Sequence, residues 1–438
     1  LGDGLTAGGL VLVMVEDAQW ADAASLELLE SLVERLEDRP LMVLLTARPS
    51  YLDTHQTFAD APRLELSDLD DAAIATIVES VLGRPEPAVV ERASGNPYLA
   101  EELSMAVREG ADPYALPVTV EGAVLARLDR LAPSEKDLLK RAAVLGRRFW
   151  SEALVALGQT EVDPLLSRLR RRELVLPRAE SELWGCRQWL FRQAVVFEVC
   201  RGLLTDDQRR ELHRAAASWL SRREDAAPVE VAQHFMAAED PRRSLLWWLR
   251  ALHGARERGE SRDVLRYSDR VLALADAIDL PQSERFEQRL LRCEARFWLA
   301  ERSGLEEELQ LAWQIMEGHE DDLGRSARAR FRCWLAEHLA LSAHLEEARR
   351  AAREATRIAD EAGVVELRVQ SRRVLSEVLV ALGDLDRAVA VAGEALEIAK
   401  RGEGGMVRAT ASRAVAMVEL RRGRPSSASF YFDMARNL

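Results

Sequence analysis

The chain has 438 residues, of which 48% are hydrophobic and 30% charged, a balance typical of a soluble protein with two or three domains. It contains no run of roughly eighteen uncharged apolar residues and no signal-peptide pattern at its N-terminus, so we expect a cytoplasmic protein. The formal net charge of −13 argues against a general nucleic-acid-coating protein, because phosphate binding needs a positive surface.

An α/β pattern opens the chain. Residues 10 to 15 are apolar and rich in valine, which predicts a strand buried on both faces of a parallel sheet. A helical leucine pattern follows, and then a second apolar strand at residues 41 to 46. Strand, helix and strand in this order predict a right-handed crossover. A short strand at 63 to 66, a helix over 70 to 82 and an SGNP turn complete a first part that ends near residue 116.

Compact helices replace this pattern from about residue 117. VEGAVLARLDRL, SEKDLLKRAAVLG and VDPLLSRLRRREL read as three helices, and LVLPRAESELWGCRQWLF reads as a hairpin. Three helices and a hairpin predict a winged-helix domain over residues 117 to 190. Residues 127 to 178 hold twelve basic and seven acidic side chains, a local net charge of +5, so contact with DNA is one interpretation of this part.

Repeated amphipathic helices form the rest of the chain. HLEEARRAAREATRIAD and GDLDRAVAVAGEALEIA have the same pattern, with alanines seven residues apart that allow a second helix to lie close. A spacing of 40 residues relates Cys293 to Cys333, and it also relates the members of a longer series: Leu305, Leu345, Leu385 and Pro425. Such a period predicts a solenoid of helical hairpins.

The four cysteines form no C-x-x-C pair and no zinc-binding spacing. We therefore expect reduced, mostly buried thiols at four positions: Cys186, Cys200, Cys293 and Cys333.

Two acids, Glu16 and Asp17, directly follow the first predicted strand in VLVMVEDAQWAD. An apolar strand that ends in two carboxylates suits Mg-nucleotide chemistry. One carboxylate orients Mg²⁺ through its water shell, and the other polarises the water that attacks the γ-phosphate. The same pattern also occurs in strands without any metal site, so the neighbouring motifs must support this interpretation.

Those motifs resemble a known family. VLVMVEDAQWADAASLELLESL is similar to the Walker B region of the AAA-like signal-transduction ATPases with numerous domains, the STAND class. The resemblance implies that Glu16 organises Mg²⁺ through water and that Asp17 activates the attacking water. LLTARP resembles the sensor-1 strand, which implies that Arg48 reports on the γ-phosphate. ASGNPYLAEEL resembles the segment in which an Asn-Pro pair, here Asn96 and Pro97, opens a lid helix near the nucleotide.

The resemblance extends along the chain, and GDLDRAVAVAGEALEIA resembles the second half of a tetratricopeptide repeat (TPR). It implies a mainly α protein: the C-terminal part of a P-loop NTPase domain at 1–116, a winged helix at 117–190, bridging helices at 191–235 and TPR-like repeats with a period of about 40 at 236–438. A winged helix in this family packs against the nucleotide domain, so DNA is not an expected partner. We expect a protein or small ligand on the repeats, and no membrane.

A P-loop reads G-x-x-x-x-G-K-[ST], and the dipeptide Gly-Lys occurs nowhere in the 438 residues. We therefore expect a fragment of an ATP-dependent switch, which lacks the P-loop and an effector region and binds nucleotide weakly. ATP or ADP and Mg²⁺ are then cofactors of the longer parent. The amino-acid sequence most resembles the ATPase and repeat region of bacterial Ser/Thr protein kinase fusions, although no H-R-D or D-F-G kinase motif is present.

Two alternatives stay open from the residues alone. The chain fits a nucleotide-independent TPR interaction scaffold, in which the acidic pair has no catalytic role. It also fits a large LuxR-type transcriptional regulator whose DNA-binding domain is missing.

Overall fold

The computed structural model describes residues 11–18, 21, 23–36, 39–48, 51, 58, 61–319, 322–402 and 404–436. The described residues are mainly α-helical. The chain divides into two compact units, Leu1–Leu116 and Pro117–Leu438. Among the helices of the described part, none combines the length and apolarity that crossing a membrane requires.

The first unit opens with two parallel strands, β1 (Val11–Val15) and β2 (Leu41–Leu45), joined through helix α1 (Ala23–Arg35). Val11 lies opposite Leu41, and the pairing continues without a break to the end of both strands. Strand, helix and strand thus occur in the order that the apolar pattern predicts.

Burial of the first strand, β1, on both faces was also predicted, and this prediction is wrong. Side chains alternate between the two faces of a strand, and alternate residues of β1 and β2 are exposed. On one face, Val15 and Leu45 pack against a small core that includes Leu26 of α1. The other face is open, with exposed fractions between 39% and 54% at four large side chains: Leu12, Met14, Met42 and Leu44.

After Asp70, the described residues of the first unit are mainly helical. These helices are α2 (Asp71–Leu82), α3 (Pro87–Ala93) and α4 (Pro97–Arg108), followed by a 3₁₀ turn at Pro113–Ala115. The strand predicted at residues 63 to 66 does not form. Leu64 and Leu66 are 86% and 90% exposed, so they gain no burial that would favour pairing with another strand.

The second unit begins with helices around a small antiparallel sheet. Its strands are β3 (Arg148–Trp150), β4 (Val175–Pro177) and β5 (Gln188–Phe191), which lie side by side in the order β3-β5-β4. Strands β4 and β5 form the predicted hairpin. The predicted helices are present, whereas β3 and α7 were not predicted because each is too short to show a period. The elements of this part are α5 (Val120–Asp129), α6 (Pro133–Leu145), β3 (Arg148–Trp150), α7 (Ser151–Ala156), α8 (Val162–Arg171), β4 (Val175–Pro177), β5 (Gln188–Phe191) and α9 (Ala194–Gly202).

Two helices, α10 (Asp206–Leu220) and α11 (Pro228–Ala237), follow this sheet-containing part. Helix α11 belongs to two hydrophobic cores. Val231 and Phe235 lie in the core of the sheet-containing part, and Ala232 lies in the core of the first hairpins of the repeat region. We call α10 and α11 the joint helices.

The remaining helices form antiparallel hairpins that stack into a TPR-like solenoid. They are α12 (Pro241–Glu257), α13 (Ser261–Leu274), α14 (Gln282–Trp298), α15 (Arg302–His319), α16 (Arg325–Leu341), α17 (Leu345–Ala362), α18 (Val365–Ala381), α19 (Leu385–Lys400), α20 (Gly405–Arg421) and α21 (Pro425–Arg436).

The same turn joins the helices of the last three hairpins. A residue with positive φ stands at Ala343, Gly383 and Gly423, each 40 residues after the last. In each turn the next residue donates its backbone N–H to the carbonyl five residues earlier, at 2.9 to 3.0 Å. This bond satisfies a carbonyl that the helix end leaves without a partner.

The 40-residue period does not extend to the hairpin of α14 and α15. Its positive-φ turn residue is Ala300, so the spacing to Ala343 is 43 residues (343 minus 300). Helix α15 accordingly begins at Arg302. A period of 40 counted back from Leu345, the first residue of α17, would place that start three residues later, at Leu305. Cys293 and Cys333 are both buried, but with this shift they do not occupy equivalent positions.

Small side chains and repeated ion pairs hold the hairpins together. Four alanines of α17 and four of α19 that face the core are fully buried, which lets neighbouring helices approach closely. Arg332 Nε of α16 contacts Glu354 of α17 at 3.3 Å, and Arg372 Nε of α18 contacts Glu394 of α19 at 3.2 Å. These pairs are 40 residues apart, so the period applies to the electrostatics as well as to the turns.

Candidate functional site

The predicted acidic pair lies at one edge of the parallel strands. Glu16 and Asp17 directly follow β1, whereas Thr46 and Arg48 follow β2. Because the strands are parallel, their carboxyl ends meet at the same edge, and all four residues are exposed. The structure therefore brings Arg48 to the strand edge that carries the two acids.

Thr46 holds the turn that carries Asp17. Its backbone N–H donates to the Val15 carbonyl at 2.9 Å, and its own carbonyl accepts the N–H of Ala18 at 2.8 Å. Its side-chain hydroxyl accepts the backbone N–H of Asp17 at 3.2 Å. Asp17 has a φ of 55°, a left-handed conformation that aspartate tolerates better than most residues.

Sequence reasoning missed the role of Thr46. The available signal was a hydroxyl-bearing residue placed directly after an apolar strand, at the point where the chain leaves the sheet.

The chemistry of this edge fits a hydrated Mg²⁺ ion. Carboxylate oxygens are the ligands that Mg²⁺ prefers, and the ion keeps several of its waters when it is bound beside phosphates. Within the described ranges, no group of three or more His, Cys, Asp or Glu side chains is placed to hold a metal ion. Glu16 and Asp17 thus form no complete protein cage for a metal ion with other described residues, and their role in holding Mg²⁺ is a hypothesis.

Asn96 and Pro97 lie at the start of α4 and have clear structural roles. The side chain of Asn96 accepts the backbone N–H of Leu99 at 3.0 Å and so caps the helix, and Pro97 occupies its first turn. Gly95 precedes them with a φ of +79°, and a Cβ there would lie 2.8 Å from the Leu69 carbonyl oxygen. Helix capping is sufficient to explain the SGNP motif, and a lid role for it is a separate hypothesis.

A cleft of about 450 Å³ lies between α2 and α3 in the same unit. Its lining includes the carboxylates of Asp71, Glu86 and Glu91, and Glu86 pairs with Arg84 at 3.1 Å. Carboxylates repel phosphate groups, so this cleft does not suit the phosphates of a nucleotide.

The described thiols are free and buried, as predicted. Burial raises the pKa of Cys200, Cys293 and Cys333 to about 12 in each case. Because the thiolate is the reactive form, these residues are poor nucleophiles at neutral pH.

Large apolar side chains are exposed on the solenoid. Trp298, the last residue of α14, is 64% exposed, and its ring meets that of Phe297 at 5.6 Å between centroids. Phe297 packs in turn on Trp334 of α16 at 5.3 Å. Aromatic side chains are enriched among the residues that dominate the binding energy of protein interfaces, so Trp298 is a candidate contact residue.

Comparison with known proteins gives distant likenesses. No family model matches the chain. An uncharacterised protein of Rhizobium meliloti (strain 1021) is 24% identical over 228 residues, which cover 47% of this chain and 22% of the relative. The chain thus spans about a fifth of the length of the curated relative that it matches.

Two solved structures show a weak likeness to this chain at low identity. A signal transduction ATPase with numerous domains and a tetratricopeptide repeat sensor, from Pyrococcus horikoshii, is 14% identical with a TM-score of 0.43, covering 100% of this chain and 70% of that one. Aspartyl phosphate phosphatase F from Bacillus subtilis is 11% identical with a TM-score of 0.39, covering 86% and 97%. Likenesses of this degree do not extend to activity.

Proposed function

We propose that this chain is an interaction module that binds a protein partner on its TPR-like solenoid. The observation that carries the proposal is the stack of helical hairpins with exposed aromatic side chains such as Trp298. Stacked hairpins form an extended surface, and its curvature follows from the rotation between repeats. Rigid aromatic side chains supply much of the binding energy of such surfaces.

Affinity capture from cells that express the gene tests this function. The immobilised chain should capture the same partner with and without ATP, and Trp298→Ala should weaken capture at least tenfold. Trp184→Ala is the matched control, because Trp184 is 88% exposed but lies in the β4–β5 hairpin. Equal losses with both variants, or no loss with Trp298→Ala, would contradict binding on the solenoid.

A second function is favoured by the acidic edge of β1 and β2. We propose that the solenoid regulates a STAND-type ATPase switch, in which ATP or ADP binds with Mg²⁺ in the longer parent. Glu16 would hold hydrated Mg²⁺, Asp17 would orient the attacking water, and Arg48, Asn96 and Pro97 would lie near the nucleotide. The hydrogen bonds of Thr46 to this turn support the proposal, because a catalytic carboxylate must be held in place.

The sheet order β3-β5-β4 with its surrounding helices supports a winged helix between the ATPase part and the solenoid. A Ser/Thr kinase or a helix-turn-helix as the effector of the parent is a further proposal, based on sequence resemblance alone.

Calorimetric titration tests whether this chain by itself holds a nucleotide site. Without a P-loop lysine, this chain should bind Mg-ATP with a Kd of about 1 mM or weaker. Micromolar binding that is lost in Glu16→Gln would show that the chain itself holds a working nucleotide site. Partner capture that is insensitive to both ATP and Glu16→Gln would support the scaffold function.

A further inference from the structure

Two histidines meet between the joint helices. The Nδ1 atoms of His213 on α10 and His234 on α11 are 2.8 Å apart, and the ring centroids are 5.0 Å apart. Two nitrogen atoms at this distance need one proton between them, donated by one ring and accepted by the other. The two neutral rings must therefore be opposite tautomers, one with its proton on Nδ1 and the other on Nε2.

The surroundings of this histidine pair disfavour a second proton. His234 is 6% exposed and His213 is half-buried. Burial lowers the pKa of His213 to about 4, assisted by the charges of Arg201 and Arg209. Burial also lowers the pKa of His234 to about 3, with a further contribution from His213.

Charged groups of both signs lie on the helices that neighbour the histidine pair. The carboxylates of Asp207 and Glu239 both bond to Arg210, and Glu152 of α7 bonds to Arg187. Arg214 bonds to the Ala238 carbonyl. Arg201 and Arg209, whose charges act on His213, pair with Glu198 and Asp206 of their own helices at 3.8 and 3.2 Å. Other charged side chains on these helices include Glu135, Lys136, Asp137, Lys140 and Arg141 of α6, Glu211 of α10, Glu230 of α11, and Asp240 and Arg243 at the start of α12.

The histidine pair lies between two helices that each pack against a different part of the second unit. Helix α10 packs against α6 and α7 of the sheet-containing part, and α11 packs against α12, the first helix of the solenoid. The contact between α10 and α11 therefore lies on the path between the sheet-containing part and the solenoid.

We propose that the His213–His234 pair is a proton-sensitive latch that holds α11 on α10, so that acid loosens the joint between the sheet-containing part and the solenoid. The first added proton places an imidazolium in a buried site, where the charges of Arg201 and Arg209 also oppose it. The second leaves an N–H group on both Nδ1 atoms, and the two donors repel each other at 2.8 Å.

Proton linkage gives the direction and size of the effect. Both histidines have a pKa below 6.5 when the joint is closed and near 6.5 when it is open, so the closed form is fully stable above pH 6.5 and loses stability as the pH falls. Between pH 7.5 and pH 5, the opening equilibrium constant should rise about 30-fold for each histidine that is released.

Hydrogen exchange of the α11 backbone amides tests the latch in the intact chain. The asparagine amide places its polar atoms near the Nδ1 position, so the double variant His213→Asn/His234→Asn keeps a hydrogen bond but cannot titrate. After correction for intrinsic exchange, the wild type should show at least 30-fold more opening of α11 at pH 5 than at pH 7.5. The double variant should show less than a threefold change.

His253→Asn is the matched control, because His253 is an exposed histidine on the adjacent helix α12. This variant should retain the acid response of the wild type. An acid response of the same size in the double variant would overturn the proposal.

Imidazole ¹⁵N spectra of the wild type at pH 7.5 give a second test that does not depend on how the double variant folds. One histidine of the pair should carry its proton on Nδ1 and the other on Nε2, with assignment from the single His213→Asn variant. Two Nε2-protonated rings, or an imidazolium at this pH, would remove the geometric basis of the latch.

Discussion

The hydroxyl of Thr46 accepts the backbone N–H of Asp17 at 3.2 Å, across 29 positions of sequence. Thr46→Val keeps the shape of the side chain and removes this acceptor. A hydrogen bond at an exposed site contributes about 1 kcal/mol, so exchange of the Asp17 amide should become about fivefold faster. Thr76→Val is the control, since that hydroxyl bonds within α2 to the Ala72 carbonyl. Unchanged Asp17 exchange in Thr46→Val would mean that the hydroxyl does not hold the turn.

Glu337 of α16 and Arg373 of α18 form an ion pair that both helices bury. Arg373→Met removes the cation and leaves a carboxylate whose pKa burial already raises. The loss in unfolding free energy should be about 3 kcal/mol in urea titrations at pH 7. The double variant Glu337→Gln/Arg373→Met should recover more than half of it, because the uncompensated charge is gone. A double variant no more stable than Arg373→Met would contradict this origin.

Gly383 and Ala343 occupy the same position in consecutive hairpin turns, with φ values of 81° and 63°. Since a Cβ on Gly383 would meet no atom within 4 Å, the cost of Gly383→Ala is conformational. We expect Gly383→Ala to lower the unfolding free energy by about 1 kcal/mol and Ala343→Gly to raise it by a similar amount. Urea titration of both variants checks the sign. If both substitutions changed the unfolding free energy in the same direction, the two turns would not be equivalent.

Cysteine modification should follow burial and thiol pKa. Cys186 is the most exposed of the four. Burial raises its pKa as well, and it raises the pKa of Cys200, Cys293 and Cys333 to about 12. Brief treatment of the native protein with iodoacetamide at pH 8 should therefore label Cys186 first, and denatured protein should label all four sites alike. Mass spectrometry of the peptides measures this order. Fast labelling of Cys333 in the native protein would contradict its burial.

The sequence predicts those features that depend on local period. Valine-rich strands on either side of a leucine-patterned helix give the parallel pair of β1 and β2, and alanine spacing gives the tight hairpins of α17 and α19. The open face at Leu12 and Met14 could not be read from the strand itself, because burial depends on what packs against it. Leu64 and Leu66 are apolar but lack such packing, so the predicted strand fails.

Contacts between residues that are far apart in the sequence could not be predicted from local periodicity. His213 and His234 lie on separate helices, and no periodic signal connects residues 21 positions apart. The early turn at Ala300 shifts one hairpin by three residues, which a fixed period of 40 cannot show. Asn96 was singled out by resemblance, whereas its contact with Leu99 is that of a helix cap. The roles of Glu16, Asp17 and Arg48 at the nucleotide stay predictions.

Helix α11 carries Val231 and Phe235 in one core and Ala232 in the next. Solenoids commonly unfold by fraying from one end, since each repeat contacts only its neighbours. Here the first hairpins share a helix with the sheet-containing part, so they cannot fray without exposing that core. Unfolding of the solenoid should therefore not begin at the hairpins next to α11, and these hairpins should melt together with the three-stranded sheet.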